Sequence, residues 1–186
     1  MMNSFVAIDF ETANQFRTSA CAVSAVRFNE EGIPEETFTT LLKPHPSVGT
    51  FHWRNIRIHG IRPDDVASAP EWDCVAPVLR DFVAGLPLVA HNMSFDGGIL
   101  DALADLYRIQ RLPATRLCTL CLSRKLLSHE LRSRSLNHVF HYYFPGEDFA
   151  HHEAQADATA AGRIFARMQD DFGFAELEKM CLKKAH

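Results

Sequence analysis

The sequence predicts an α/β domain built on a mixed five-stranded sheet flanked by helices. Three observations carry this expectation: three consecutive apolar, β-branched stretches near the start, an alternation of helical and short apolar segments after them, and helical patterning to the end. Residues 4–9 (SFVAID) and 20–28 (ACAVSAVRF) read as strands, and 36–43 (ETFTTLLK) follows the turn NEEGIP, so the three form an antiparallel meander. Residues 71–84 place Trp72, Val75, Val78, Leu79, Phe82 and Val83 at helical spacing, with Pro77 expected to mark a first turn or a kink. A very short strand, LPLVAH, comes next, then a helix over Phe95 to Tyr107 and a fifth strand at Thr115 to Cys118. Further helices are expected over 119–128, 135–143, 154–171 and 174–183. No repeat, low-complexity tract or linker interrupts the chain, so residues 1–186 are read as a single domain.

Composition narrows the class. Of 186 residues, 47% are hydrophobic and 23% charged, which suits a globular chain and not a disordered one. The start, MMNSFVAIDFE, has no basic leader region and meets an acid at position 9, so neither a signal peptide nor a membrane span is expected, and a cytoplasmic location follows. The five cysteines are odd in number, which speaks against a disulfide framework. Cys118 and Cys121 form a lone CTLC; neither His138 with His141 nor His151 with His152 stands at a recognised zinc spacing to it, so the pair reads as core filling. The net charge of −4 excludes a broad basic coat for nucleic acid. Seven Lys or Arg residues nevertheless run from Arg108 to Arg134 against one acid, Glu130, which could form a phosphate-facing side.

Four acids stand where chemistry is expected. Asp9 and Glu11 follow the apolar run FVAI, and if residues 5–11 stay extended, the two-residue period of a strand points both the same way. Two such carboxylates at the end of a buried strand repel each other and lose hydration unless a cation sits between them. Asp96 lies at a strand-to-helix junction with Asn92 and Phe95, at the carboxyl end of a strand, where open α/β sheets hold their ligands. Asp157 falls on the stripe of Ala161, Ile164, Phe165 and Met168, which turns it toward the core. His152 lies five residues earlier, at the edge of the same helix. Four hard oxygen donors suit two Mg²⁺ or Mn²⁺ ions better than zinc, and a histidine titrating near neutrality suits a general base.

The order of DFET (Asp9 to Thr12), HNMSFDGGIL (His91 to Leu100) and HEAQAD (His152 to Asp157) resembles the three motifs of the DEDDh 3′→5′ exonucleases, most closely the DNA polymerase III epsilon-type proofreading domain. IHGIRPDDVASAP and SLNHV resemble further segments of that family, so the likeness covers nearly the whole chain. It implies an RNase H-like fold, with Asp9, Glu11, Asp96 and Asp157 as metal ligands and His152 as general base. A tyrosine four residues before the last acid would mark the sister subclass, but that position is Glu153, and His151 stands at a spacing of six that does not match. The resemblance also implies that Thr12 and Ala13 line the pocket for a terminal nucleotide, that Phe95 packs on it, that His59 lies near it and that Asn92 supports the site. The loop TANQFRTSA departs from the family by lacking a glycine, which puts the shape of that pocket in doubt. The implied substrates are nucleic-acid 3′ ends, single-stranded DNA first, with RNA exonucleases of the RNase T and oligoribonuclease kind carrying the same five residues. A homodimer, as in several relatives, is left open, and the short segment after the last motif does not support stable attachment to a polymerase.

Overall fold

Residues 2–182 are described by a computed structural model. The run FVAIDFET forms β1 (Phe5–Thr12), the central strand of a five-stranded sheet whose order places β3 and β2 on one side of it and β4 and β5 on the other. β2 (Ala20–Phe28) pairs antiparallel with β1, and β3 (Pro34–Leu41) antiparallel with β2 at the sheet edge. The edge position tolerates Pro34, which has no amide to give a ladder. β4 (Leu88–Ala90) runs parallel to β1, and β5 (Arg116–Cys118) parallel to β4.

Seven α-helices are described: α1 (Trp53–His59), α2 (Trp72–Val83), α3 (Met93–Tyr107), α4 (Thr119–Leu126), α5 (Leu136–Tyr143), α6 (Ala154–Phe172) and α7 (Phe174–Leu182). The boundaries agree with the expectations to within one or two residues for most elements. Residue 183 of the last expected helix lies outside the described residues. Two differences have clear causes. Pro77 sits inside α2 and neither begins nor ends it, because it lies on the exposed face, where the carbonyl it cannot satisfy meets water. α1 was not expected at all: none of its residues is fully buried, so it has no apolar stripe for periodicity to find.

The sheet buries a core on each face. Phe5, Ala7, Val89 and Leu117 point to the side covered by α5, α6 and α7, with Ile164, Phe165 and Met168 of α6 against them. Val6, Ile8, Phe10 and Leu88 point to the other side, against Trp72 and Leu79 of α2 and Ile99 and Leu103 of α3. The alternation along β1 decides where the acids go, since Asp9 and Glu11 share the parity of Phe5 and Ala7 and therefore face α6.

α6 lies very close to the sheet. A Cβ placed on Gly162 would collide with the ring of Phe28 and come within 3.0 Å of the Ala7 Cβ. Ala158, Ala161 and Gly162 form the buried small-residue face that allows this approach.

Candidate active site

β4 stops at Ala90, so the second half of β1 has no parallel neighbour on that side. Val6 and Ala7 of β1 pair with Leu88 and Val89 of β4, but the amide of Phe10 finds no strand there. It donates instead to Asp96 Oδ1 on α3, 3.1 Å away. A buried amide requires a partner, and this one fixes the 1%-exposed Asp96 carboxylate beyond the end of β4. The turn from β4 into α3 is made by Asn92 at φ 89°, a backbone region that asparagine adopts more readily than most residues.

From the opposite side, the close seat of α6 brings Asp157, 5% exposed, toward β1. Carboxylate oxygens of Asp9, Glu11 and Asp157 lie within 4.8 Å of one another. Asp9 Oδ2 is inaccessible to solvent and has no hydrogen-bond partner among the described residues. Such an atom is expensive to bury. Burial pushes the Asp9 carboxyl well above the usual carboxylate range, with Asp96, Glu11 and Asp157 adding repulsion. Burial likewise raises Glu11 to about 8, helped by Asp157 and Asp96. It also raises Asp96 to about 8, although the Phe10 amide opposes the shift. Crowded, dehydrated carboxylates and an orphaned oxygen fit a divalent cation, which would replace the missing protons and hydrogen bond together. Asp9, Glu11 and Asp157, with Asp96 beside them, could supply hard oxygen donors to it.

The two histidines before α6 take different positions. His151 is half-buried, and its Nδ1 lies 2.7 Å from Asp157 Oδ1. His152, at φ 72°, binds the other oxygen of Asp157 through its backbone amide, at 3.1 Å, and leaves its exposed ring stacked on His151 with centroids 3.9 Å apart. Burial and the neighbouring His151 lower the His152 pKa, against the pull of Asp157. Motif spacing could not foresee that His151 rather than His152 holds Asp157 by its ring.

A cleft of about 620 Å³ opens over these groups, lined by Asp9, Glu11, Asp157 and both histidines, by Asn92 and Phe95, and by Arg124, Arg132 and Arg134. The basic run thus divides. Arg116 pairs with Asp101 and Arg111 with Asp105, while Lys125 reaches the Met180 carbonyl. Three arginines remain at the cleft. Arg134 is held there by the carbonyls of Leu127, Ser128 and Arg132. Its own carbonyl lies 2.9 Å from Nε2 of His91, whose Nδ1 lies 2.9 Å from Thr119 Oγ1. Burial lowers His91 to about 4, so this ring is neutral and acts as a brace. Its bracing role carries no signal in the sequence beyond its place in the second motif.

The remaining expected substrate residues sit at the end of β1. The Thr12 carbonyl accepts from Asn55 Nδ2 at 2.8 Å and lies 3.2 Å from His59 Nε2, which docks α1 beside the acids. Ala13 is fully buried in a small cluster with Cys21 and Val66 and is not among the residues lining the cleft. Cys118 Sγ accepts the Cys121 amide at the start of α4, 3.4 Å away, and the Cys118 amide points at Cys181 Sγ, also at 3.4 Å.

Fold and site together are those of a nucleic-acid exonuclease, and the profile of the RNase_T exonuclease family matches residues 6–165; the chain belongs to that family. The chain's relatives include DNA polymerase III epsilon and PolC-type DNA polymerases III. It is 29% identical over 174 residues to the DNA polymerase III subunit epsilon of Aquifex aeolicus, covering 92% of this chain and 83% of that protein. It is 30% identical over 166 residues to a PolC-type DNA polymerase III of Caldanaerobacter subterraneus, covering 88% of this chain. The chain spans 11% of that polymerase and 20% of a 32% identical protein of Mycobacterium tuberculosis. In structure it is similar to the nuclease domain of 3′hExo, a DEDDh family member bound to rAMP, with a TM-score of 0.79 and 19% identity over 92% of this chain and 94% of that one.

Proposed function

We propose that this chain is a single exonuclease domain that hydrolyses the terminal phosphodiester at the 3′ end of single-stranded DNA and releases nucleoside 5′-monophosphates. The carboxylates of Asp9, Glu11 and Asp157 within 4.8 Å of one another, with Asp9 Oδ2 orphaned and the buried Asp96 held nearby by the Phe10 amide, carry the reading. Asp9, Glu11, Asp96 and Asp157 would hold two Mg²⁺ or Mn²⁺ ions, which when bound supply charge neutralisation at the phosphate and lower the cost of ionising the attacking water. His152, with a free ring at the cleft wall and a lowered pKa, is neutral near pH 7 and accepts the proton of that water. The water oxygen bonds to phosphorus, the bond from phosphorus to the 3′ oxygen of the preceding nucleotide breaks, and that oxygen takes a proton from solvent water as His152 returns its own to solvent. Phe95 and Asn92 at the cleft, with Thr12 and His59 beside it, would position the terminal nucleotide.

The test is a ladder assay on 5′-labelled single-stranded DNA with Mg²⁺ or Mn²⁺. Stepwise shortening from the 3′ end is expected, lost in Asp9→Ala and strongly reduced in His152→Ala; ladders that survive both substitutions would overturn the proposal. RNA is the second reading, favoured by the rAMP in 3′hExo. Rates on matched DNA and RNA oligomers and on dinucleotides separate the two, since discrimination rests on contacts with the 2′-hydroxyl. Binding without turnover would instead mark a non-catalytic nucleic-acid module.

A further inference from the structure

α1 has two faces. Asn55 and His59, four residues apart, hold the inner one on the Thr12 carbonyl, and the entry to the helix is fixed by His52, whose amide donates to the Ala13 carbonyl at 2.8 Å. Asn14 Nδ2 ties the preceding loop by donating to the carbonyls of Val48 and Thr50, at 2.9 and 2.6 Å. The helix is therefore rigidly joined to the strand that carries Asp9 and Glu11. Its outer face presents Trp53 and Ile58, 59% and 52% exposed, with the exposed Arg54 and Arg57 between them. The Arg54 guanidinium lies over the Trp53 ring, 5.4 Å from its centroid, and His52 stacks on that ring at 5.9 Å. Neither arginine has an ion pair or side-chain hydrogen bond among the described residues.

Large apolar side chains exposed together are unusual and mark an interaction surface. The charge around them specifies the partner. No Asp or Glu occurs between Glu36 and Asp64, while Lys43, Arg54, Arg57 and Arg62 do. A surface that offers a stacked aromatic, guanidinium groups and no acid suits a polyanion with flat, stackable faces, which is the chemistry of an unpaired nucleic-acid strand. His52, which precedes Trp53, bonds the Ala13 carbonyl just past the end of β1, so this face lies directly beside the strand that carries Asp9 and Glu11. We propose that the outer face of α1, Trp53 and Ile58 with Arg54 and Arg57 between them, is a docking surface for the single strand upstream of its 3′ end. A base stacks on the Trp53 and Arg54 platform, and phosphates meet the two guanidinium groups. The identity of the strand rests on the exonuclease reading; the surface itself does not.

The chain has two tryptophans, and the other, Trp72, is 4% exposed, so fluorescence accessible to acrylamide reports Trp53. The probe is a twelve-residue oligothymidylate titrated into the whole chain with Ca²⁺ in place of Mg²⁺, with binding followed in parallel by the anisotropy of a labelled copy. The strand is expected to quench the accessible tryptophan and shield it from acrylamide. Trp53→Ala should weaken binding of the long strand about tenfold, within the range of one lost stacked base. Arg54→Ala with Arg57→Ala keeps the reporter and should reduce the salt slope of binding by about 1.4, two phosphate contacts at about 0.7 each. Thermal melts at the wild-type temperature show that the variants are folded. A strand that does not bind, or that saturates without changing Trp53 and binds both variants as tightly as wild type, overturns the proposal. So does equal quenching by polyglutamate, which would assign the face to an acidic protein. Quenching by the strand with no cleavage of any substrate in Mg²⁺ or Mn²⁺ would sink the exonuclease reading and leave the docking surface standing.

Discussion

His151 and His152 illustrate how two adjacent side chains with the same chemistry are given different work. His151 is tied to Asp157 at 2.7 Å and so would position a metal ligand, whereas the His152 ring has no hydrogen bond among the described residues and lines the cleft. His152→Ala should therefore lower kcat by roughly 10²- to 10⁴-fold at saturating metal, the usual worth of a general base. His151→Ala should instead raise the metal concentration needed for half-maximal rate by about 10- to 100-fold, as the loss of a ligand's outer partner does, with kcat recovering at high metal. Metal titrations of the two variants distinguish the roles, and interchanged results would assign the base to His151. The spacing of five from Asp157 pointed to His152. What spacing could not show is the left-handed turn at His152, φ 72°, which places the two rings on different partners.

At the level of elements, the decisive contact is that of α6 with β1 and β2. Gly162 permits it, and Gly162→Val would drive a branched side chain into Phe28 and Ala7. Overpacking of this kind costs about 1–3 kcal/mol. Because α6 also carries Asp157, the variant should lose metal affinity along with stability, seen in a urea melt and a Mn²⁺ titration on the same sample. A stability loss with unchanged metal affinity would show that α6 does not set the ligand position. The cleft arginines make a separate prediction. Arg124→Ala and Arg132→Ala should each reduce the salt slope of single-strand binding by about 0.7, whereas Arg111→Ala, already paired with Asp105, should not. Seven basic residues in one run did not reveal this division, because the partners that neutralise Arg111 and Arg116 come from α3 and are chosen by tertiary position.

Across the whole molecule, the acids make stability a function of pH and of metal together. Glu11 and Asp96 are raised to about 8 from ordinary values of 4.5 and 3.8. The folded chain thus holds these protons more tightly than the unfolded one. Their contribution is fully present below about pH 4 and is lost as the pH climbs through 8. Tm in a chelator should fall between pH 5 and pH 9, and saturating Mn²⁺ should raise Tm and flatten that slope by replacing the protons. A metal-free Tm that rises over the same range would contradict the electrostatics described here. The same global view explains what the sequence made legible. Strand parity placed Asp9 with Glu11, and the helical stripe turned Asp157 inward, since both depend on local periodicity. The α1 helix and the inward turn of Ala13 depend on which neighbours arrive from elsewhere, so periodicity is silent about them. Among the described residues no helix is long and apolar enough to cross a membrane.

The brevity of β4 has one more consequence. With only three residues in that strand, the Phe10 amide is protected from solvent by a carboxylate instead of by a neighbouring backbone. Its exchange with deuterium therefore follows the state of Asp96 and not the opening of the sheet. A single peptide proton thereby becomes a gauge of whether Asp96 is charged.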